Sequence, residues 1–370
     1  MPSALNDLLK ATSRSFYLTL RVLPAHVRPQ IGLAYLLART TDTIADTGLV
    51  TPVQRLEALQ KLRERILGRS SAPLNFGELA QRQNLSAEKM LLEKVEDSLA
   101  ALQNFSESDQ KLIRAVLTTI TSGQELDLKR FAGSAGVPPA VCVVAPQPSS
   151  DGATPSVAHE TRALPKKIIA LQTEAELDDY TYRVAGCVGE FWTKICRAHL
   201  FPNAKLDDAN MLADGIRFGK GLQLVNILRD LPADLKNGRC YLPVEKLVEA
   251  GLTPEDLLPP ANESKLRPLY NHYLDVAESH LAAGWKYTNL IPRGQMRVRL
   301  ACAWPVLIGA KTISRLRDGE VFDPLRRMKI ARREVRGIIL RSVLSHPFPG
   351  AWQKLFVPGG KAVASDAKLT

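Results

Sequence analysis

The chain has few cysteines, and their arrangement argues against two common kinds of site. Five cysteines are scattered over 370 residues: Cys142, Cys187, Cys196, Cys240 and Cys302. Their number is odd and no two form a Cys-x-x-Cys pair, so we expect neither a disulfide framework nor a zinc site. A reducing cytoplasm is the simplest setting for such a chain.

Three targeting and cofactor signatures are also missing. No uninterrupted apolar run approaches the roughly 20 residues of a transmembrane helix. The first residues, MPSALNDLLKATSRSF, lack the basic start and apolar core of a secretory signal. No Gly-x-Gly-x-x-Gly is present, so we do not expect a Rossmann cofactor domain. The predicted location is cytoplasmic, with any membrane contact peripheral and at the cytoplasmic face.

The charge balance is basic, with a formal net charge of +11. Such a balance is typical of proteins that bind nucleic acid, an anionic membrane surface or phosphorylated substrates. The sequence has no zinc-finger spacing, RNP-like stretch or bZIP repeat. Nucleic acid is therefore the weakest of the three, and we expect none as a partner.

Helical periodicity dominates the sequence. Apolar residues recur at steps of three and four, with charge on the other faces, in seven segments: 29–46, 53–67, 86–103, 107–131, 174–200, 207–231 and 266–290. No convincing run of alternating strand residues is present. The pattern predicts an all-α protein, built as a single helical bundle.

One internal region breaks this pattern. Residues 132–167 are rich in Pro, Gly, Ser and Ala and contain no helical stripe. They indicate a flexible insertion within a domain spanning 1–346, although a linker between two domains is the alternative. Residues 347–370 are predicted to form a poorly ordered tail.

Two pairs of aspartates stand out, Asp42 with Asp46 and Asp230 with Asp234. Residues four apart share one face of a helix. Two neighbouring carboxylates repel unless a cation lies between them, and Mg²⁺ combines carboxylate oxygens with substrate phosphates. A single such pair is usually surface charge. Two pairs, each near an arginine and within an apolar helix, favour facing Mg²⁺–diphosphate sites.

The residues around the second pair leave its geometry open. Gln223 and Asn226 precede Asp230 at helical steps, so that one face carries two amides and then carboxylates. Pro232 is expected to disturb the helix near its end. Asp234 is therefore expected to be offset, although a short turn would still leave it near Asp230.

Five motifs, in this order, resemble those of the squalene and phytoene synthases. The motifs are Ser13-Arg14-Ser15-Phe16, Tyr35-xxx-Arg39-xx-Asp42-xxx-Asp46, Tyr180-x-Tyr182-x-Val184-Ala185-Gly186-xx-Gly189, Gln223-xx-Asn226-xx-Arg229-Asp230-xxx-Asp234 and Gly238-Arg239-xx-Leu242-Pro243. Each motif is weak alone, but the ordered set is specific. The resemblance covers about residues 8–340 and is strongest to a bacterial-type squalene synthase. One departure is Ala233, where the family usually has an acid.

The resemblance implies an isoprenoid synthase fold with a central cavity and acidic pairs that face each other across it. It implies Mg²⁺ ligands at Asp42, Asp46, Asp230 and Asp234. It implies catalytic roles at the diphosphate for Tyr180, Arg39, Arg229 and Tyr35. It implies substrate contacts for Arg14, Ser15, Phe16, Gly189, Gln223, Asn226 and Tyr241. The alternatives are helix packing for Tyr180, a core position for Tyr35 or Tyr241, and an ordinary surface position for the arginines, above all Arg14.

A late segment, Cys302-Ala303-Trp304-Pro305, resembles the corresponding helix of squalene synthases more than that of phytoene synthases. The basic cluster after it, with Arg326, Lys329 and Arg332, is implied to hold the NADPH phosphate. The alternative is a solvated helix or one that faces a membrane, for which the basic segment 326–341 is suited.

These observations predict a squalene synthase. It would join two farnesyl diphosphates head to head through presqualene diphosphate, with Mg²⁺, and then reduce that intermediate with NADPH. A phytoene or dehydrosqualene synthase, which omits the reduction, is the main alternative, and a presqualene diphosphate synthase is another. A non-catalytic prenyl-lipid-binding protein is the alternative from a different class.

Overall fold

The computed structural model describes residues 3–13, 16–132, 167–258, 260–322 and 330–357. The predicted insertion lies outside the described residues, apart from its two ends at 132 and 167. Arg14, Ser15, Arg326 and Lys329 also lie outside them, as does the side chain of Phe16.

The described chain is almost entirely helical, as predicted. Its α-helices are α1 (Ser3–Ser13), α2 (Phe16–Val22), α3 (Arg28–Asp46), α4 (Pro52–Ile66), α5 (Gly77–Gln81), α6 (Ser86–Glu93), α7 (Val95–Leu102), α8 (Glu107–Arg130), α9 (Glu174–Thr181), α10 (Cys187–His199), α11 (Asp208–Lys236), α12 (Val244–Glu249), α13 (Glu263–Leu290), α14 (Met296–Asp318), α15 (Arg332–Ser345) and α16 (Pro349–Gln353). A π-helical turn (Tyr182–Gly186) joins α9 to α10, and two 3₁₀ turns (Pro254–Leu257 and Pro260–Asn262) precede α13. Within the described residues, no helix is both long and apolar enough to span a bilayer.

The helices pack as two halves around α11. In one half, α3 packs against α4 and α8, and α8 also contacts α10. In the other half, α11 and α13 pack along their lengths and α14 lies against both. Each half has its own cluster of buried apolar side chains, and a cavity lies between them. The bundle thus follows from the apolar stripe of each helix.

One short parallel pair of strands interrupts the helical pattern. Strand β1 (Ile169–Ala170) pairs with β2 (Arg239–Cys240). The pairing joins the segment that follows the insertion to the end of α11. It also fixes the backbone on which Arg239 and Tyr241, both buried, project inward.

The expected disturbance of the helix at Pro232 is wrong. Helix α11 continues through Pro232 to Lys236. Proline has no N–H, so the carbonyl four residues earlier, on Leu228, loses its usual helical donor. The buried hydroxyl of Tyr270 on α13 donates to this carbonyl at 2.8 Å instead. Asp234 therefore lies one helical turn after Asp230.

The chain also stays folded beyond the predicted end of the domain at residue 346. Helix α16 lies within the predicted tail, and its Trp352 is buried. The Trp352 indole stacks on Trp285 with ring centroids 5.3 Å apart and donates to Asn289 Oδ1 at 2.8 Å. An aromatic anchor on α13 therefore holds the segment up to Val357, and the predicted tail is wrong for this part.

Replacing Tyr270 by phenylalanine should destabilise the protein by about 1–3 kcal/mol, because the Leu228 carbonyl would be left buried without a donor. Urea unfolding measures the change. Tyr273→Phe is the matched control, since Tyr273 lies on the same helix and is equally buried. Equal effects of the two changes would contradict the role given to the Tyr270 hydroxyl.

Candidate active site

The first acidic pair lies on α3 at the wall of the central cavity. Asp42 is buried, and its Oδ1 accepts a hydrogen bond from Gln124 Nε2 of α8 at 2.5 Å. Arg39 Nη1 lies 3.7 Å from Asp42 Oδ2, while Arg39 Nη2 lies 3.1 Å from Glu88 Oε1. Burial raises the pKa of the Asp42 carboxyl to about 6, against the opposing effects of Arg39 and Gln124.

Asp46 completes this pair one turn later. Burial raises the pKa of its carboxyl well above the ordinary value, and the charge of Asp42 raises it further. Its Oδ1 is enclosed and makes no hydrogen bond to any described residue. The two neighbouring carboxylates, one of which has an enclosed oxygen without a hydrogen bond, would be stabilised by a bound cation.

The second pair lies at the end of α11. Arg229 Nε donates to Asp230 Oδ1 at 2.8 Å. Burial raises the pKa of the Asp234 carboxyl to about 8, and the charge of Asp230 adds to this effect. The second pair thus resembles the first: an arginine contacts the leading aspartate, whose charge raises the pKa of the aspartate one turn on.

Two stacked tyrosines lie near both pairs. Tyr180 and Tyr241 are buried, with ring centroids 4.7 Å apart and planes inclined by 22°. The Tyr241 hydroxyl donates to Asp127 Oδ2 of α8 at 2.8 Å. Burial raises the pKa of the Tyr180 phenol well above its ordinary value, and the charges of Asp127, Asp234 and Asp46 raise it further.

Arg239 is the positive group common to both pairs. It is buried, and its charge opposes part of the rise that burial causes in the pKa of Asp46 and of Asp234. Its guanidinium lies 5.5 Å from the centroid of the Phe131 ring. Since Tyr180 and Arg239 each interact with an aspartate of both pairs, the two pairs converge on one region.

An apolar cavity begins at the first pair and runs between the two halves of the bundle. The space that the centre of a water molecule can reach within it is about 180 Å³, and the cavity is partly open to solvent. Tyr35, Arg39 and Asp42 of α3 line it, whereas most of its remaining wall is apolar, including Trp192, Phe218 and other side chains of α8, α10, α11 and α14. The charged end and the apolar body suit a ligand with an anionic head and a hydrocarbon chain.

Two glycines, one of them in the third motif, allow neighbouring backbones to approach closely. A Cβ on Gly189 would lie 1.9 Å from the Gly215 carbonyl oxygen, and a Cβ on Gly219 would lie 2.2 Å from that of Ala185. Helices α10 and α11 therefore cross with their backbones in contact. Gly189 also lines the cavity, so the predicted contact with substrate is compatible with its position.

The residues present fit Mg²⁺. Among the described residues, no three His, Cys, Asp or Glu side chains come together as a complete protein metal centre. Each pair instead offers two carboxylates, which suits an ion that proteins usually hold through one or two carboxylates, with water and substrate phosphates completing its coordination. The unsatisfied Asp46 oxygen and the raised pKa values of Asp42 and Asp234 are consistent with cation sites.

The other predicted site residues differ in how far the structure places them. Gln223 and Asn226 are buried on α11 in the turns before Asp230, and Tyr35 donates to the Thr12 carbonyl at 3.3 Å. Arg332 begins α15, is exposed and is not among the cavity-lining residues. Arg14, Ser15, Arg326 and Lys329 lie outside the described residues, and of Phe16 only the backbone is described.

The sequence analysis missed Gln124 and Asp127 and gave no role to Arg239. The first two lie three residues apart in α8, so that an amide and a carboxylate share one helical face. This pattern is visible in the sequence and could have marked both as candidate site residues. The same signal drew attention to Gln223, Asn226 and Asp230.

The raised pKa of Asp234 predicts how the stability of the metal-free protein depends on pH. Below the ordinary value of 3.8 the carboxyl is protonated in both folded and unfolded chains; between 3.8 and about 8 only the folded chain keeps the proton. The contribution of Asp234 to stability is therefore lost as the pH rises through this window.

In EDTA, Asp234→Asn should raise the melting temperature relative to wild type at about pH 8.5 and have a smaller effect at about pH 5.5. Mg²⁺ should raise the melting temperature of wild type more at the higher pH and that of the variant less. Differential scanning fluorimetry checks both expectations. A difference between variant and wild type that is independent of pH would contradict the assignment.

With this geometry in place, comparison with known proteins gives a consistent picture. A family model described as squalene/phytoene synthase matches residues 9–334. The chain is 38% identical over 122 residues to a 15-cis-phytoene synthase of Enterobacter agglomerans, covering 33% of this chain and 36% of that protein. The chain spans less than two fifths of the length of the curated relatives it matches.

Solved structures establish the fold. TcSQS in complex with the ligand BPH1237 superposes with a TM-score of 0.68 at 21% identity, covering 92% of this chain and 85% of that one. A dehydrosqualene synthase in complex with a ligand gives a TM-score of 0.59 at 20% identity, covering 93% and 95%. The predicted all-α isoprenoid synthase fold is confirmed.

Proposed function

The chain belongs to the squalene/phytoene synthase family, and from this premise we propose that it joins two prenyl diphosphates head to head with the help of Mg²⁺. One observation carries the proposal. Two acidic pairs converge on Tyr180 and Arg239, and the first of them reaches the apolar cavity through Asp42. This arrangement suits a substrate with a diphosphate head and an isoprenoid chain.

The four aspartates, Asp42, Asp46, Asp230 and Asp234, would hold the metal, which when bound would stabilise the negative charge on the departing diphosphate. Arg39 lies on the cavity wall beside Asp42, where its guanidinium can bind a diphosphate oxygen. Arg229 has the equivalent place beside Asp230. Both arginines would orient the diphosphate so that it leaves towards the charged end of the cavity.

Tyr180 is proposed to act at the departing diphosphate. Because its pKa is raised well above the ordinary value, its phenol stays protonated at neutral pH and can donate a hydrogen bond to an oxygen that gains charge. The apolar wall of the cavity would keep water from the allylic cation that remains. Phe218 and Trp192 on this wall offer aromatic faces, which attract a cation without reacting with it.

The product of the condensation has two candidates. The sequence predicts squalene, through presqualene diphosphate and NADPH reduction, and the Cys302–Pro305 segment that suggested this product lies on α14, where Cys302 and Pro305 line the cavity. The similarity to a phytoene synthase supports the product of the non-reductive reaction equally. NADPH rests on the resemblance alone, since Arg332 lies away from the cavity wall and its two predicted partners are outside the described residues.

Purified protein with Mg²⁺ and either farnesyl or geranylgeranyl diphosphate, with and without NADPH, should yield a head-to-head product that mass spectrometry identifies. Squalene formed only with NADPH would support the reductive reaction. Phytoene or dehydrosqualene formed regardless of NADPH would support the non-reductive one. Absence of product from both substrates would sink the proposal and leave the prenyl-lipid-binding alternative.

In the same assay, Tyr180→Phe should lower kcat about 100-fold or more, because a positioned proton donor contributes at least this factor. Tyr182→Phe is the matched control, since the Tyr182 hydroxyl donates to Glu190 Oε2 instead. Unfolding curves should match those of wild type. Equal kcat values for the Tyr180 and Tyr182 variants would contradict the role of Tyr180.

We also propose that α15 rests on an anionic membrane surface, which would receive an apolar product. Its outer face carries Arg333 and Arg336 in the first half and the exposed Leu340 and Leu344 in the second, followed by the exposed Phe348. A basic and then apolar helix face complements anionic lipid. Two copies of this face would repel each other, which argues against self-association.

Replacing Leu340 and Leu344 together by serine should weaken binding to phosphatidylcholine–phosphatidylglycerol vesicles by at least about tenfold, because each leucine contributes on the order of 1.5 kcal/mol or more when it leaves water. Vesicle sedimentation measures this. Val248→Ser removes an equally exposed apolar side chain elsewhere and should have no effect. Equal binding to purely zwitterionic vesicles, or a loss of dimers in the double variant, would overturn the proposal.

A further inference from the structure

A small second cavity lies beside Tyr180, and Val184 is common to its wall and that of the apolar cavity. Side chains from three parts of the chain line it: Gln124 and Asp127 of α8, Tyr180 of α9 and Arg239 of β2, with Ala45 of α3 at its edge. The space open to the centre of a water molecule is about 10 Å³, against about 180 Å³ in the apolar cavity, and this is close to the smallest volume that holds one water molecule.

Four polar atoms in this region are enclosed but lack a hydrogen bond, and one of them, Asp127 Oδ1, lies 3.8 Å from Arg130 Nη1. Gln124 Oε1 and Asp127 Oδ1 are enclosed acceptors, and Arg239 Nε and Nη1 are enclosed donors. None of the four makes a hydrogen bond to a described residue. All three residues are at least nine-tenths buried. Leaving such groups unsatisfied costs on the order of 1–3 kcal/mol each, so an occupant of matching chemistry is strongly favoured.

The chemistry of these atoms selects the occupant. A water molecule can donate to two acceptors and accept from a donor, which are the roles that Gln124 Oε1, Asp127 Oδ1 and an Arg239 N–H leave open. A metal cation would be repelled by the guanidinium, and an anion by the Asp127 carboxylate. A single water molecule bound to all three side chains fits both the size and the polarity of the cavity.

The same three side chains contact groups already assigned to the site. Gln124 Nε2 donates to Asp42 Oδ1, so the amide that would bind the water also directs a proposed metal ligand. Asp127 Oδ2 accepts from Tyr241, which stacks on Tyr180. If Gln124 and Asp127 are held in place, the side chains of Asp42 and Tyr180 can rotate less.

We propose that Gln124, Asp127 and Arg239 are positioning residues, which fix Asp42 and Tyr180 through a hydrogen-bonded network completed by one buried water molecule. This inference rests on the proposed function for its catalytic meaning. Its structural part concerns only the water and the metal-binding carboxylate, and can be tested without turnover. Replacing groups that orient metal ligands typically changes affinity or activity by about 10–100-fold.

The first test measures Mn²⁺ binding by electron paramagnetic resonance without substrate. Gln124→Leu should weaken binding about 10–100-fold, because Asp42 loses the amide that directs it. Asp109→Asn is the matched control: Asp109 lies on the same helix, is equally buried, and accepts from Gln30 and from His199 outside the site. Its Mn²⁺ affinity should equal that of wild type.

The second test follows the steady-state kinetics of two Asp127 variants. Asp127→Leu should lower kcat about 10–100-fold with little change in KM, whereas Asp127→Asn, which keeps an acceptor oxygen, should recover most of the loss. A high-resolution crystal structure should show a water molecule within hydrogen-bond distance of Gln124 Oε1, Asp127 Oδ1 and Arg239.

Unchanged Mn²⁺ affinity in Gln124→Leu, or a cavity without ordered water at high resolution, would overturn the inference. So would equal kcat values for the Leu and Asn variants of Asp127. Failure of the proposed function has a different signature, since wild type itself would then form no prenyl product while the water and the Mn²⁺ measurements could still be made.

Discussion

The placement of neighbouring carboxylates where water has little access is the constraint on which the rest of the site depends. Asp42, Asp46 and Asp234 are each harder to ionise than an exposed aspartate, chiefly because burial removes them from water. The charge of Asp42 raises the pKa of Asp46 further, and the charge of Asp230 raises that of Asp234 further. A protein that keeps such groups carries a cost in stability unless cations and phosphate-bearing ligands offset it. Binding of the metal and substrate relieves this cost, and the free energy released contributes to their affinity.

The fold is arranged to hold these carboxylates in place. Helix α11 runs unbroken through Pro232 because Tyr270 supplies the missing hydrogen bond, and this continuity sets the spacing of the second pair. Helices α10 and α11 cross closely at Gly189 and Gly215, and both glycines line the cavity. Arg239, on a strand of only two residues, places one positive charge near both pairs.

Much of this could be predicted from the sequence, and the limits are physical. Periodicity predicted α3 within one residue at its start, and the spacing of its aspartates predicted that they share a helical face. The continuation of α11 could not be predicted, because it depends on Tyr270, which is remote in sequence. Gln124 carried a local signal, since it lies three residues before Asp127 on one helical face, but its contact with Asp42 could not be predicted, because the two side chains meet only where α8 packs on α3.

Anomalous diffraction from crystals grown with Mn²⁺ and an unreactive thiolodiphosphate analogue of the substrate would test most directly whether the two acidic pairs are metal–diphosphate sites. We expect anomalous peaks beside Asp42 and Asp46 and beside Asp230 and Asp234, with the diphosphate between them and the prenyl chain in the apolar cavity. Manganese bound away from both pairs, or a prenyl chain outside the cavity, would contradict the proposed function.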